Sequence, residues 1–126
     1  VEFRCPDGSA DIYLLLAGLA VAARHGFEME NGTQYARDRY VDVNIFDERH
    51  REVLARLNRL PASCEESARR LEEHRAVYER HGVFSPRLID GLVARLAAFR
   101  DADLRRELAG DEEKVRKLVE TYFYCG

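Results

Sequence analysis

The sequence has 126 residues, 46% hydrophobic and 34% charged, enough for one domain that buries roughly two thirds of its unfolded surface. Its 20 basic and 23 acidic residues are interspersed and leave a net charge of −3, so no basic patch points to nucleic acid. The longest apolar run, Ile12 to Ala23, falls short of the roughly 20 residues that cross a bilayer, and nothing around it reads as a signal peptide. Neither a nucleic-acid nor a membrane partner is expected.

In chain order, Val1-Glu2-Phe3-Arg4-Cys5-Pro6-Asp7 reads as a strand and its turn. Val1, Phe3 and Cys5 alternate with Glu2 and Arg4, and Pro6-Asp7-Gly8 ends the run. A lone strand is no sheet, so its partners are expected outside this sequence. Ser9 or Asp11 caps a helix through Gly26 (residues 9–26), whose apolar residues extend almost all round and predict burial on more than one side. Residues 27–46 are less regular: Asn31-Gly32 marks a turn, Thr33 opens a short helix through Ala36 and Arg39, and Tyr40 to Phe46 alternates as a short extended segment.

From Asp47 onwards (47–126) a helical tail is expected, arranged as an antiparallel array with short connections. Asp47 caps a helix to about Leu60, closed by Pro61. Ser63-Cys64-Glu65-Glu66 is a capping box opening a helix to about His81, with Glu65–Arg69 and Glu66–Arg70 pairs and an inner face of Ala68, Leu71, Val77 and Tyr78. Gly82 ends it. Ser85-Pro86 starts another, with Leu88, Ile89, Leu92, Val93, Leu96 and Phe99 at helical spacing. A short helix over 101–109 stops at Gly110. Asp111 caps the last, with Val115, Leu118, Val119, Tyr122 and Phe123 facing inward. The fold class is therefore mainly α, with one N-terminal strand that belongs to a larger sheet.

Few side chains suggest chemistry. Glu2 and Arg4 project from one face of the strand, where a carboxylate and a guanidinium suit a cation and an anion; an ordinary surface ion pair fits the same pattern. His74 and His81 share a helix face but stand about 10 Å apart along its axis, too far for one metal. His25 sits at a helix C-terminus and His50 has no obvious partner. Cys64, just inside a helix N-terminus, is expected to have a lowered thiol pKa, yet no base is spaced to activate it and a small core residue is the better reading. Cys5, Cys64 and Cys125 lack CxxC spacing and read as reduced thiols of a cytoplasmic protein.

The opening fourteen residues also carry a denser pattern. Val1-Glu2-Phe3-Arg4-Cys5-Pro6-Asp7-Gly8-Ser9-Ala10-Asp11-Ile12-Tyr13-Leu14 resembles the strand, turn and helix start that end the catalytic sheet of the glutamine synthetase family, and an alanine- and leucine-rich helix follows as it does there. The resemblance implies that Glu2 is a ligand of one divalent metal, Mg²⁺ or Mn²⁺, and that Arg4 holds the glutamate substrate and the transferring phosphoryl group. Carboxylate oxygens and an arginine fork suit those tasks. It implies a parent that uses ATP, glutamate and ammonia and assembles as a homo-oligomeric ring, with this chain a C-terminal part of its catalytic domain, inactive alone. No nucleotide-binding residues and no modified residue are expected within these 126.

Two departures stand out. The family's Asn-Pro before the tyrosine is Asp11-Ile12 here, which leaves the amine acceptor open and admits a polyamine or another amine. Beyond residue 26 the resemblance thins, and the tail from about Tyr40 reads as branch-specific. A stand-alone helical assembly module, with the Glu2/Arg4 match coincidental, is the reading of a different class.

Overall fold

The computed structural model describes residues 3, 5, 6, 8 and 10–123. Among them every regular element is helical. α1 spans Ile12–Glu28, α2 Gly32–Asp38, α3 Arg51–Arg56, α4 Cys64–Glu73, α5 Arg75–Glu79, α6 Pro86–Ala97, α7 Leu104–Leu108 and α8 Glu112–Tyr122, with a turn of 3-10 helix at Glu48–His50 before α3.

The starts follow local chemistry. The Asp11 carboxylate accepts the amides of Tyr13 and Leu14, and the Ser63 and Ser85 hydroxyls accept those of Glu66 and Leu88. Asp111 takes the amide of Lys114. Each satisfies a donor that the first helical turn leaves unpaired. At Ser63 the box is displaced by one residue, because Glu66 reaches back to the amide of Ala62 at 3.0 Å. Gly82 and Gly110 adopt φ of +67° and +77°, the left-handed stop expected of them.

The core lies where α1, α5 and the α4–α6 pair meet. Val21, Phe84 and Ile89 are its buried centre, with Leu14, Ala17, Leu71, Val77, Tyr78, Leu88 and Val93 packed around them. Phe84 precedes the Ser85 cap and Ile89 is the fourth residue of α6, the spacing of a hydrophobic staple. The Tyr78 and Phe84 rings meet edge to face at 5.6 Å. α4 and α6 run antiparallel: Asp101, just past α6, reaches the start of α4, while Arg75 beyond the other end of α4 holds Asp90 early in α6.

Several expectations are corrected. α1 continues through Gly26 to Glu28 and buries one side only; Ile12, Tyr13, Leu16 and Leu19 remain exposed. Tyr40 to Phe46 is an irregular turn, because the Asn44 side chain accepts the amide of Phe46 and its carbonyl that of Asp47, bending the chain. The helix before Pro61 stops at Arg56: Leu57 is already extended, and Leu60, 72% exposed, finds nothing to pack on. The long helix expected to His81 breaks at His74 into α4 and α5. Arg69 and Arg70 pair with Glu66 and Glu73, three residues away rather than the four anticipated.

α8 forms as expected, but its apolar face is not inward. Val115, Val119, Tyr122 and Phe123 are exposed, and α8 packs chiefly on α7. The accessible surface is 10991 Å², against about 6,900 Å² for a compact protein of this mass, so about half of the unfolded surface is buried rather than two thirds.

The opening segment is described only in part. Phe3 and Cys5 carry no regular structure and are exposed. A strand needs a neighbour to complete its hydrogen bonds, and no described residue supplies one.

Candidate functional site

Glu2 and Arg4 lie outside the described residues, as do Val1, Asp7 and Ser9. What the structure places is the helix that follows them in the chain. The Asp11 carboxylate fixes the start of α1 through bonds of 2.9 and 3.1 Å to Tyr13 and Leu14. Asparagine and aspartate cap equally well, so the helix start keeps its hydrogen bonding although the proline of the family pattern is an isoleucine here.

Three polar clusters join the helices. At the end of α1, Glu28 accepts from Arg24 at 2.7 Å and lies 3.2 Å from the His81 ring, with Arg80 at 3.5 Å. Arg24 first, then His81, holds the Glu28 carboxyl below its ordinary value. At the α4–α5 break, the Arg75 guanidinium reaches Glu72, Glu79 and Asp90, each at 2.8 Å. Glu72 leads in holding its proton more tightly than an ordinary arginine does. Every charge in these two clusters meets an opposite charge from this chain, which fastens α1 to α5 and α5 to α6.

The third cluster overturns the expectation for Cys64. Asp101 accepts the backbone amides of Cys64 at 2.8 Å and Glu65 at 3.1 Å, capping α4 from 36 or 37 residues away. Those amides hold the Asp101 carboxyl low. The Cys64 thiol is pushed up instead of down, by burial and then by the Asp101 charge. The helix terminus expected to favour a thiolate already has its anion. Arg100 takes a left-handed φ of 48° immediately before Asp101, turning the chain back towards α4.

A recess of about 730 Å³ opens between α1 and α2, lined by His25, Phe27, Met29, Thr33, Tyr35 and neighbouring alanines. α2 crosses close beside α1 because Gly32 lies against the Gly26 carbonyl, where a side chain would collide. Arg39 stacks 3.4 Å over the Tyr35 ring. No group of three or more His, Cys, Asp or Glu among the described residues could hold a metal ion. Thus His25, His50, His74 and His81 gather no ligand set, and His81 is tied to Glu28.

Sequence reasoning passed over Phe84 and the long-range role of Asp101. Phe84 could have been found from its place just before a Ser-Pro helix start. No local signal marks Asp101, because its partners are distant in the chain.

The family model of the glutamine synthetase catalytic domain matches residues 1–106. A glutamine synthetase of Thermococcus kodakarensis is 31% identical over 127 residues, covering 98% of this chain and 28% of that protein. The chain therefore spans little more than a quarter of the length of that curated relative. No solved structure matches it. The family match runs on through α6 and into α7, so the part of the tail from about Tyr40 to residue 106, expected to be branch-specific, lies within the matched stretch. The motif at residues 1–14, the capped helix that follows and this match agree: the chain belongs to the glutamine synthetase family.

Proposed function

We propose that this chain is the C-terminal part of the catalytic domain of an ATP-dependent glutamate–ammonia ligase, which makes glutamine through γ-glutamyl phosphate. The observation that carries the reading is the family match over residues 1–106, with Glu2, Arg4, Pro6 and Asp7 at the spacing of the family motif. Glu2 would be a ligand of one divalent ion, Mg²⁺ or Mn²⁺, and Arg4 would hold glutamate and the transferring phosphoryl group. The donor chemistry fits: a carboxylate suits a hard divalent cation, and a guanidinium fork suits carboxylate and phosphoryl oxygens. When bound, the metal supplies charge to neutralise phosphate oxygens. This chain's share would be one carboxylate and one guanidinium, a few residues before the Asp11 cap of α1.

One carboxylate cannot satisfy the six or so oxygens such an ion takes. The isolated 126 residues are accordingly inactive in this reading, and the remaining ligands and the ATP pocket belong to the longer parent. The parent is a homo-oligomeric ring in the cytoplasm, a compartment consistent with Cys5 and Cys64 as free thiols. Ammonia is preferred over a polyamine as the acceptor because the matched relative is a glutamine synthetase.

The test is turnover in the full-length parent with ATP, glutamate and either ammonia or putrescine. We expect glutamine formation with ammonia, and near-complete loss on Glu2→Ala or Arg4→Ala with the thermal unfolding temperature retained. Normal turnover in either variant removes that residue's role. Turnover with putrescine alone replaces the acceptor, and a monomer in light scattering removes the ring.

A further inference from the structure

The ends of α2 and α3 meet at a recess of about 470 Å³, lined by Asp38, Arg39, Arg56, Leu57 and Asn58. That volume lies within the range of small-molecule sites, about 300–1,000 Å³. Its two arginines come from different helices: Arg39 caps the end of α2, and Arg56 is the last residue of α3. Among the described residues neither guanidinium has an acidic partner, although Arg49 and Arg51 hold Asp47 and Glu48. Cations at helix C-termini often complement the unpaired carbonyls there, but here the backbone largely fills that role. The Arg39 and Tyr40 amides serve the carbonyls of Ala36 and Arg37, and the Leu57 amide serves that of Leu54. Arg39 donates one N–H to the Tyr35 carbonyl at 3.2 Å and stacks 3.4 Å over the Tyr35 ring. Those two contacts fix the guanidinium plane and leave its other donors open.

We propose that this recess binds a small organic phosphate monoester. Two guanidinium groups from separate elements match a group with three terminal oxygens and a charge of about −1.5 to −2, whereas one carboxylate fills a single fork. The Asn58 amide adds a neutral donor to the same lining. Space beyond the phosphate takes the organic part, with Leu57 as its apolar wall. Asp38 is the acid in the lining, and the Gln34 amide already occupies its Oδ1 at 2.6 Å. Its other oxygen is an acceptor for a ligand hydroxyl. Two arginines less one aspartate leave the lining net positive. Arg37 and Arg59, close by in sequence and also without acidic partners among the described residues, add to the local positive field. None of this depends on Glu2, Arg4 or the ligase reading.

Arginine modification by phenylglyoxal, followed at initial rates in the full-length parent and mapped by peptide mass spectrometry, tests this. The readout is local, so phosphate bound at a catalytic centre elsewhere does not enter it. With glucose 6-phosphate as the probe, a Kd of about 1 mM gives about 10-fold slower modification of Arg39 and Arg56 at about 10 mM ester. Arg95 and Arg105, exposed and also without acidic partners among the described residues, should keep their rates, and glucose alone should protect nothing. Arg56→Gln should cut the protection of Arg39 to under about 2-fold, because one fork is lost. Asp38→Asn should deepen it by removing a like charge. Unchanged rates at Arg39 and Arg56 overturn the proposal, and so does equal slowing at Arg95 and Arg105. Protection of Arg39 that survives Arg56→Gln removes the two-arginine site. Succinate as effective as the ester replaces the phosphate with a carboxylate ligand and sinks the proposal. Inorganic phosphate as effective as the ester does so too, leaving an adventitious ion only.

Discussion

The α4–α6 pair and the α7–α8 arm are built from similar local signals and end in different states. Both have side-chain-capped starts, at α4, α6 and α8, with apolar residues at helical spacing and ion pairs along their sides. α4–α6 buries Ala68 and Ile89, is stapled by Phe84, and is closed by Arg75 at one end and Asp101 at the other. α8 has its Asp111 cap and pairs Lys117–Glu113 and Arg116–Glu120, yet none of its residues is buried. Beyond α7, a Phe99–Tyr122 ring pair at 6.3 Å ties it to the residues just after α6. Local interactions suffice to shape a helix, and each contributes a few tenths of a kcal/mol. Cooperative stability requires a second element to lie against it.

The contrast is broken most strongly at Ile89, which has no exposed surface. Ile89→Ala should cost about 2–5 kcal/mol, comparable to the whole stability of a small, open domain, and thermal melting by circular dichroism should show the cooperative transition lost or shifted far down. Asp101→Ala should cost less, about 0.5–2 kcal/mol for a lost cap, with a second signature. Removing the carboxylate frees the amides at the α4 terminus and takes away a like charge, so the Cys64 thiol pKa falls. In a Cys5→Ser, Cys125→Ser background, its alkylation by iodoacetamide near pH 8 should accelerate; an unchanged rate would detach Asp101 from the thiol.

Arg100→Gly sharpens the same contact from the other direction. A left-handed φ at a non-glycine costs roughly 1 kcal/mol, so the glycine variant should raise the urea midpoint provided Asp101 keeps its place. At the arm, Tyr122→Ala should cost under about 1 kcal/mol, and Val119→Ser should fall within about 0.5 kcal/mol of neutral, both read by the same urea titration. A larger loss at Val119 would mean that α8 is covered in solution.

Acid and base should both destabilise the fold. The Asp101 carboxyl sits below its ordinary 3.8, and that of Glu28 below 4.5. In each case the unfolded chain takes up the proton first as the pH falls, so the stabilisation present above those values is lost on descending through them. The Cys64 thiol sits above its ordinary 9.0, so its contribution is present below 9.0 and is lost as the pH rises through the folded-state value. Urea midpoints measured across the pH range should therefore fall at both ends, and Asp101→Asn should flatten both limbs.

How much of this was legible in the sequence depended on how far apart the interacting groups lie. Asp11, Ser63, Ser85 and Asp111 were readable as caps because each bonds to an amide two or three residues on. Gly82 and Gly110 were readable as stops because the left-handed turn is a property of the residue itself. Where the reading failed, a partner elsewhere in the chain was missing or unexpected. Leu60 and the Tyr40–Phe46 segment had pattern without a surface to pack against. Cys64 had the right helix terminus, but Asp101 had taken it. Within the candidate site, Glu2 and Arg4 are proposed from their places in the family motif and lie outside the described residues, and Asp11 is the nearby residue whose bonding is described.

By itself the sequence determined the helical class, most helix starts and the family, because these reside in short-range chemistry and in residue order. The tertiary structure alone decided which side of α1 is covered, that Phe84 centres the core and that Cys64 is held as a thiol. Those outcomes follow from the direction in which distant groups approach, and burial and fields depend on that approach rather than on neighbours along the chain.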